Sequence, residues 1–215
     1  MIRFQTASAC ALIVGSFASG LLGCAAESEG GARSTAQVLA NRAYIVARDS
    51  DELTVIDLDS LEIVGQLKTA GQDNHMAELN ADFTKIYIDS SETHETIVID
   101  AEDLQIIERV EVGTHPTHLS LAEDRKLMFI MAEEDNAITI LDTESDRVIK
   151  TLGGFNTPHF AHFDAAGKYA YVANIGAHHI TRIDMKTLEI DSHIVLDGFL
   201  GPPEASEAPG EGGFA

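Results

Sequence analysis

Cysteine, tryptophan and positive charge are scarce in this chain of 215 residues. Both cysteines, Cys10 and Cys24, lie close to the N-terminus. The rest of the chain therefore has no disulfide, thiolate metal site, cysteine nucleophile or Cys-x-x-Cys-His haem attachment. Only 14 Lys and Arg residues oppose 35 Asp and Glu residues, giving a formal net charge of −21. Such a surface repels phosphate backbones and anionic lipid, which argues against nucleic acid as a partner.

The N-terminal segment has the pattern of a secretory signal. Arg3 and the α-amino group supply positive charge, and no charged side chain follows until Glu27. The apolar stretch ends in Leu21-Leu22-Gly23-Cys24, which resembles the lipobox of bacterial lipoproteins. This resemblance implies cleavage after Gly23, lipid on Cys24 and, because Ala25 follows, attachment to the outer membrane on its periplasmic side. An ordinary secretory peptide and an uncleaved anchor helix are the alternatives.

The body of the chain is a repeat. Aromatic, β-branched segments recur at intervals of 43, 42 and 42 residues, beginning at Tyr44, Tyr87, Phe129 and Tyr171. Segments at the same intervals end in Asp57, Asp100, Asp142 and Asp184. Each unit has strand-like runs separated by turn residues, and this pattern predicts the four-stranded blades of an all-β propeller.

The fourth unit carries a family resemblance. Its residues 158–174 read Pro-His-Phe-Ala-His-Phe-Asp-Ala-Ala-Gly-Lys-Tyr-Ala-Tyr-Val-Ala-Asn. They resemble the YVTN-type propeller repeat, and the resemblance extends over about residues 43–196. The wider group includes the haem-d1 domain of cytochrome cd1 nitrite reductase and the propeller of nitrous-oxide reductase. The Asp-Gly-Lys turn of the family survives here only as Ala166-Gly167-Lys168.

We expect the chain to be divided into four parts. A signal peptide occupies 1–23, lipidated Cys24 and a flexible tether occupy 24–42, about four blades occupy 43–196, and a Gly/Pro/Glu-rich loop occupies 197–215. In the family's strand order A to D, Tyr44 begins a strand B, so the first blade lacks strand A. Gly213-Phe214-Ala215 is similar to the start of a further strand A. The sequence thus predicts a partial propeller, truncated before its next blade; a self-contained four-bladed ring is the alternative.

The repeated aspartates are interpreted as turn residues, because a fold element must be copied into every blade whereas a catalytic residue need not be. No Gly-x-Ser-x-Gly elbow and no phosphate-binding loop is present. We assign no catalytic residue, and the sequence leaves open whether the protein is an enzyme.

The nine histidines have a different distribution. Four fall before or at the start of a predicted strand A: His75, His115, His118 and His159. Three fall in predicted B-to-C loops: His94, His178 and His179. Strands A and B are antiparallel, so both classes open on one face of the propeller. The same loops carry a set of acidic residues: Asp49, Asp51, Glu52, Glu92, Glu95, Glu133, Glu134 and Asp135.

Imidazoles that converge from separate elements are typical ligands of a transition metal or a haem iron. We name His75, His118 and His159 as candidates for binding haem or metal, and His94, His115, His178 and His179 as further metal candidates. In the two resembled reductases, histidines on this face ligate haem d1 or a copper cluster. The resemblance therefore implies haem d1 or copper as a candidate cofactor. The alternative is that these histidines are solvated or structurally bonded.

The sequence favours a lipid-anchored, extracytoplasmic propeller that acts as a binding or scaffold module for a protein or small-molecule partner. The alternative is a haem-d1- or copper-handling protein of the denitrification type, either a maturation factor or part of a reductase. A third hypothesis is Ca²⁺ binding by the acidic loops, which lack the Asp-x-Asp-x-Asp-Gly spacing of known calcium loops.

Overall fold

The computed structural model describes residues 33–122 and 126–196. Three short strands form the first sheet, in the antiparallel order β1 (Arg42–Ala47), β2 (Glu52–Asp57) and β3 (Ile63–Lys68). A 3₁₀ turn at Arg48–Ser50 connects β1 to β2. The predicted signal peptide, Cys24 and the 197–215 loop lie outside the described residues.

The next three sheets each contain four antiparallel strands in chain order. The second sheet is β4 (Asn74–Leu79), β5 (Lys85–Ser90), β6 (Glu95–Asp100) and β7 (Ile106–Glu111). The third is β8 (Pro116–Ala122), β9 (Leu127–Ala132), β10 (Ala137–Asp142) and β11 (Arg147–Gly153). The fourth is β12 (Pro158–Phe163), β13 (Tyr169–Asn174), β14 (His179–Asp184) and β15 (Glu189–Val195).

We call the four sheets blades 1 to 4 and label the strands of each complete blade A to D. In the described part of the chain, blade 1 consists of strands B to D only. The structure therefore confirms the predicted partial β-propeller whose first blade lacks strand A.

Apolar cores lie between consecutive blades. Leu53 and Val55 of blade 1 pack against Ile86 and Ile88 of blade 2. On the opposite face of blade 2, Tyr87 packs with residues of blade 3. Because successive side chains of a strand point to opposite faces, the B and C strands of an inner blade must be apolar on both sides. This requirement explains the continuous burial of β9 over Leu127–Ala132.

The repeated aspartates form the predicted turns between strands C and D. Asp57 Oδ1 accepts hydrogen bonds from the backbone N–H groups of Asp59 and Ser60, at 3.1 and 2.8 Å. Equivalent bonds are made by Asp100, Asp142 and Asp184. The backbone bond from Ser60 holds the pKa of Asp57 below its usual range. These carboxylates are structural, as the sequence predicts.

The end of the expected tether is folded against blade 1. Helix α1 (Thr35–Leu39) begins after Ser34, whose hydroxyl accepts from the backbone N–H of Gln37 while the Gln37 side chain accepts from the backbone N–H of Ser34. Leu39 is buried in the core between blades 1 and 2. The described residues contain no helix that is long and apolar enough to cross a membrane.

Candidate metal centre

Strand A of every complete blade has a β-bulge near its N-terminus. The register with strand B shifts between Asn74 and Ala77 in β4, between Pro116 and His118 in β8, and between Pro158 and Phe160 in β12. A bulge inserts an extra residue into one strand and thereby redirects a side chain. In each blade, a histidine lies within or beside this bulge.

These three histidines lie next to one another, and we call them the imidazole row: His75, His118 and His159. The ring centroids of His75 and His118 are 5.2 Å apart, and those of His118 and His159 are 3.9 Å apart. The Nδ1 atom of His118 lies 3.1 Å from the Thr117 hydroxyl. Side chains from three consecutive blades thus meet at one place, as expected for strands that line a propeller axis.

A carboxylate from the B-to-C loop of blade 3 completes the cluster. Glu133 Oε1 lies 2.7 Å from Nδ1 of His159. One ligand atom from each of His118, Glu133 and His159 lies within 4.8 Å of the others, and all three residues are half-buried. Among the described residues, no other group of three or more His, Cys, Asp or Glu side chains is arranged in this way.

Burial keeps two rings of the row, those of His75 and His118, in the form that a metal needs. Desolvation lowers the pKa of His118 to about 4, and the neighbouring His159 and His75 contribute to the shift. Desolvation, with the charge of Arg48, also lowers the pKa of His75. Both rings are therefore neutral at pH 7, and a neutral imidazole has a lone pair available for coordination.

The other candidate histidines do not join the row. Nδ1 of His94 accepts a hydrogen bond of 3.2 Å from the backbone N–H of His115, so these two residues form a separate pair. His179 contacts His193 in blade 4, with ring centroids 4.7 Å apart, and His178 is exposed. Within the described part of the chain, no ring contact or side-chain hydrogen bond links these four histidines to the imidazole row.

Glu133 is the site residue that the sequence did not single out. Its loop reads Glu133-Glu134-Asp135, one of several acidic loops on the predicted face. Sequence spacing cannot tell which of these carboxylates approaches a histidine of the next blade, since that depends on the rotation between blades. The available signal was the acidic loop itself, because carboxylate and imidazole are common partners in transition-metal sites.

A small cavity lies away from the imidazole row, between β1 and β4. It has a volume of about 140 Å³ and is lined by residues of β1, β4 and β5: Arg42, Tyr44, Ala77, Glu78, Leu79 and Ile86. Pockets for organic cofactors are typically several hundred Å³. This cavity is therefore too small for a tetrapyrrole, and none of the candidate histidines lines it.

The fold is a partial β-propeller in which histidines of three consecutive blades lie next to one another. Residues 26–215 match the family described as "Domain of unknown function (DUF5074)", and the chain belongs to this family. No curated protein sequence matches the chain.

Solved structures with similar folds include hydrazine synthase of Kuenenia stuttgartiensis, with a TM-score of 0.66 and 17% identity over 72% of this chain and 46% of that one. Dihydro-heme d1 dehydrogenase NirN in complex with DHE has a TM-score of 0.50 and 14% identity over 74% of this chain and 45% of that one. The chain thus spans less than half the length of either protein. Both likenesses support the β-propeller fold. At these identities they show the fold alone, and a fold does not fix a function.

Proposed function

We propose that this chain is a binding module whose propeller face holds a first-row transition-metal ion. The observation that carries the proposal is the cluster of His118, Glu133 and His159, whose ligand atoms lie within 4.8 Å of one another. We further propose that lipid on Cys24 anchors the module on the extracytoplasmic side of a membrane, as the sequence predicts.

The donor set determines the class of metal. Two imidazoles and one carboxylate suit Zn²⁺, Cu²⁺, Ni²⁺ or Fe²⁺, whereas Ca²⁺ and Mg²⁺ prefer oxygen ligands alone. These three protein ligands leave coordination positions free for a further histidine of the row or for a small-molecule partner. The 2.7 Å contact between Glu133 and His159 fits this role in either of two ways. Glu133 binds the metal directly, or it accepts the Nδ1 proton of His159 and so orients the ring.

The charge of the chain favours a cation at this face. The acidic loop residues named above outnumber the basic residues near them, and the chain as a whole carries a formal charge of −21. Such a potential raises the local concentration of divalent cations and disfavours anionic ligands. This negative potential favours a metal cation over an anion as the ligand of the site.

Calorimetric titration of the purified protein with Zn²⁺, Cu²⁺ and Ca²⁺ tests the proposal. We expect one Zn²⁺ or Cu²⁺ per chain, no comparable Ca²⁺ binding, and an affinity loss of at least about tenfold in His159→Ala. His162→Ala is the matched control, since His162 lies on the same strand and is exposed. Absence of Zn²⁺ and Cu²⁺ uptake, or an equal loss in both variants, contradicts the proposal.

A haem-d1-handling function is the second candidate. The neutral rings of His75 and His118 favour it, because a neutral imidazole is an axial ligand of haem iron. One similar structure, NirN, is described as a dihydro-heme d1 dehydrogenase in complex with DHE, a statement about that protein only. Titration with haem tests the idea: a shifted absorption band that is lost in His118→Ala supports it. An unchanged haem spectrum at stoichiometric protein removes it.

A further inference from the structure

A carboxyl group lies inside the apolar core between blades 2 and 3. Asp89 of β5 is 0% exposed. It lies two residues after Tyr87 and so on the same face of the strand, and Tyr87 packs in this core. The equivalent positions of the other repeats hold apolar side chains: Val46, Met131 and Ala173. The propeller fold therefore does not require an acid at this position of the blade.

The carboxyl group contacts the bulge that carries His75. Strands β4 and β5 pair Asn74 with Ser90 and then Ala77 with Ile88, so His75 and Met76 together lie opposite Asp89. Asp89 Oδ1 accepts a hydrogen bond of 2.9 Å from the backbone N–H of Met76. A bulge disrupts the ladder of backbone hydrogen bonds, and this carboxyl group supplies a partner for one of the groups affected.

The buried carboxyl group of Asp89 lowers the stability of the fold. Among the described residues, Asp89 Oδ2 has no hydrogen-bond partner. The hydroxyl of Thr96, which pairs with Asp89 on the neighbouring strand β6, also has none. Burial also raises the pKa of Asp89 to about 8. A buried polar atom without a partner loses its hydrogen bonds to water and gains none in the folded protein, which lowers the free energy of unfolding. An apolar residue such as that of blade 3 avoids this cost, so stability does not explain the acid.

The hydrogen bond from Met76 to Asp89 instead holds the backbone next to His75 in place. His75 directly precedes Met76, its ring hydrogen-bonds the backbone of Thr117, and its centroid lies 5.2 Å from that of His118. We infer that Asp89 is a positioning residue, which holds the β4 bulge so that His75 joins the metal site as its third imidazole. For its metal part, this inference rests on the proposed function.

Electron paramagnetic resonance of Cu²⁺ bound to the full-length protein tests the inference, because it counts the coordinated imidazoles. We expect three imidazoles in the wild type and in Asp89→Asn, whose amide oxygen still accepts from Met76. In Asp89→Met, which carries the residue of blade 3, we expect two imidazoles and an affinity about tenfold lower. Thr96→Val is the matched control, since it removes the other unpaired group opposite Asp89 and leaves the bulge bond intact.

Two imidazoles in the wild type, or three in Asp89→Met, would overturn the inference. A purely structural role predicts altered stability with the imidazole count unchanged. The metal-free protein supplies an independent test, because the ring resonances of His75 should move in Asp89→Met and stay in place in Asp89→Asn. If the wild type binds no Cu²⁺, the proposed function fails, and these resonances still decide whether Asp89 positions His75.

Discussion

The buried carboxyl group of Asp89 and the half-buried ring of His118 give this protein opposite dependences of stability on pH. The pKa of His118 is lowered by burial from 6.5 to about 4 in the folded protein. Between these values the unfolded chain binds the extra proton, so the free energy of unfolding falls as the pH falls. The pKa of Asp89 is raised from 3.8 to about 8. Between those values the folded chain holds the extra proton, so the free energy of unfolding falls as the pH rises.

The residue-scale prediction concerns Asp89→Asn, which removes the titration and keeps the hydrogen bond to Met76. Above the unfolded pKa of His118, only Asp89 of this pair still titrates. We expect the stability of the wild type relative to Asp89→Asn to decrease steadily between about pH 6.5 and pH 8. Urea denaturation across this range measures the difference.

Thr96→Val serves as the control for that measurement, since it changes the same buried region without removing a titrating group. Its stability curve should run parallel to that of the wild type. Parallel curves for the wild type and Asp89→Asn would show that Asp89 does not change its protonation between the folded and unfolded states.

The sequence predicted the members of the imidazole row but not its geometry. The repeat aligns His75 with His159 and places His118 one position after the equivalent residue, Thr117. It could not predict that Glu133 would reach His159, because that contact crosses from one blade to the next. It named the row separately from the further metal candidates His94, His115, His178 and His179, although both sets occupy the same classes of loop and strand end.

At the scale of the strand and turn, a polar contact joins blades 2 and 3. The Tyr87 hydroxyl, inside the core, donates to Asp146 Oδ1 at 2.6 Å, and Lys85 Nζ lies 2.6 Å from Asp146 Oδ2. Asp146 belongs to the turn between β10 and β11. Strand B of one blade is thus tied to the C-to-D turn of the next.

We expect Asp146→Ala to destabilise the protein by about 2 kcal/mol, since the Tyr87 hydroxyl and the Lys85 ammonium lose their charged acceptor and keep only backbone carbonyl oxygens such as that of Thr143. Tyr87→Phe should cost only about 1 kcal/mol, because Asp146 keeps its contact with Lys85. Chemical denaturation measures both values. The exposed pair of Lys126 and Glu144 is the comparison, and Glu144→Ala should change stability by less than about 1 kcal/mol. An equal cost for Asp146→Ala and Glu144→Ala would contradict this account.

Strand positions were predictable from the sequence because the repeat fixes them. Aromatic, β-branched segments and Asp turns recur in every unit, and each marks the same element of a blade. The bulges of strand A were not predictable, since they shift the pairing without changing the repeat length. Helix α1 was also missed. Its short sequence resembles the rest of the tether, and what distinguishes it is the capping pair of Ser34 and Gln37 together with the burial of Leu39.

At the scale of the whole molecule, the testable feature is the lipid anchor that the sequence predicts at Cys24. We expect Cys24→Ser to move the protein from the membrane fraction to the soluble extracytoplasmic fraction, because the lipid supplies the membrane affinity. Cell fractionation with immunoblotting measures this change. Cys10→Ser is the matched control and should leave the distribution unchanged. Membrane retention of Cys24→Ser would contradict the lipoprotein interpretation.

The outward faces of blades 1 and 4 differ from each other. On blade 1, Ile45 and Ile63 are 50% and 60% exposed, whereas Tyr44 and Val46 pack towards blade 2. On blade 4, the guanidinium of Arg182 stacks 4.4 Å from the centroid of Tyr169, while Ala170 and Val172 pack towards blade 3. Contacts between unlike surfaces are head-to-tail. The array of blades therefore has a polarity: a surface that packs against blade 1 meets exposed isoleucines, whereas one that packs against blade 4 meets the pair of Arg182 and Tyr169.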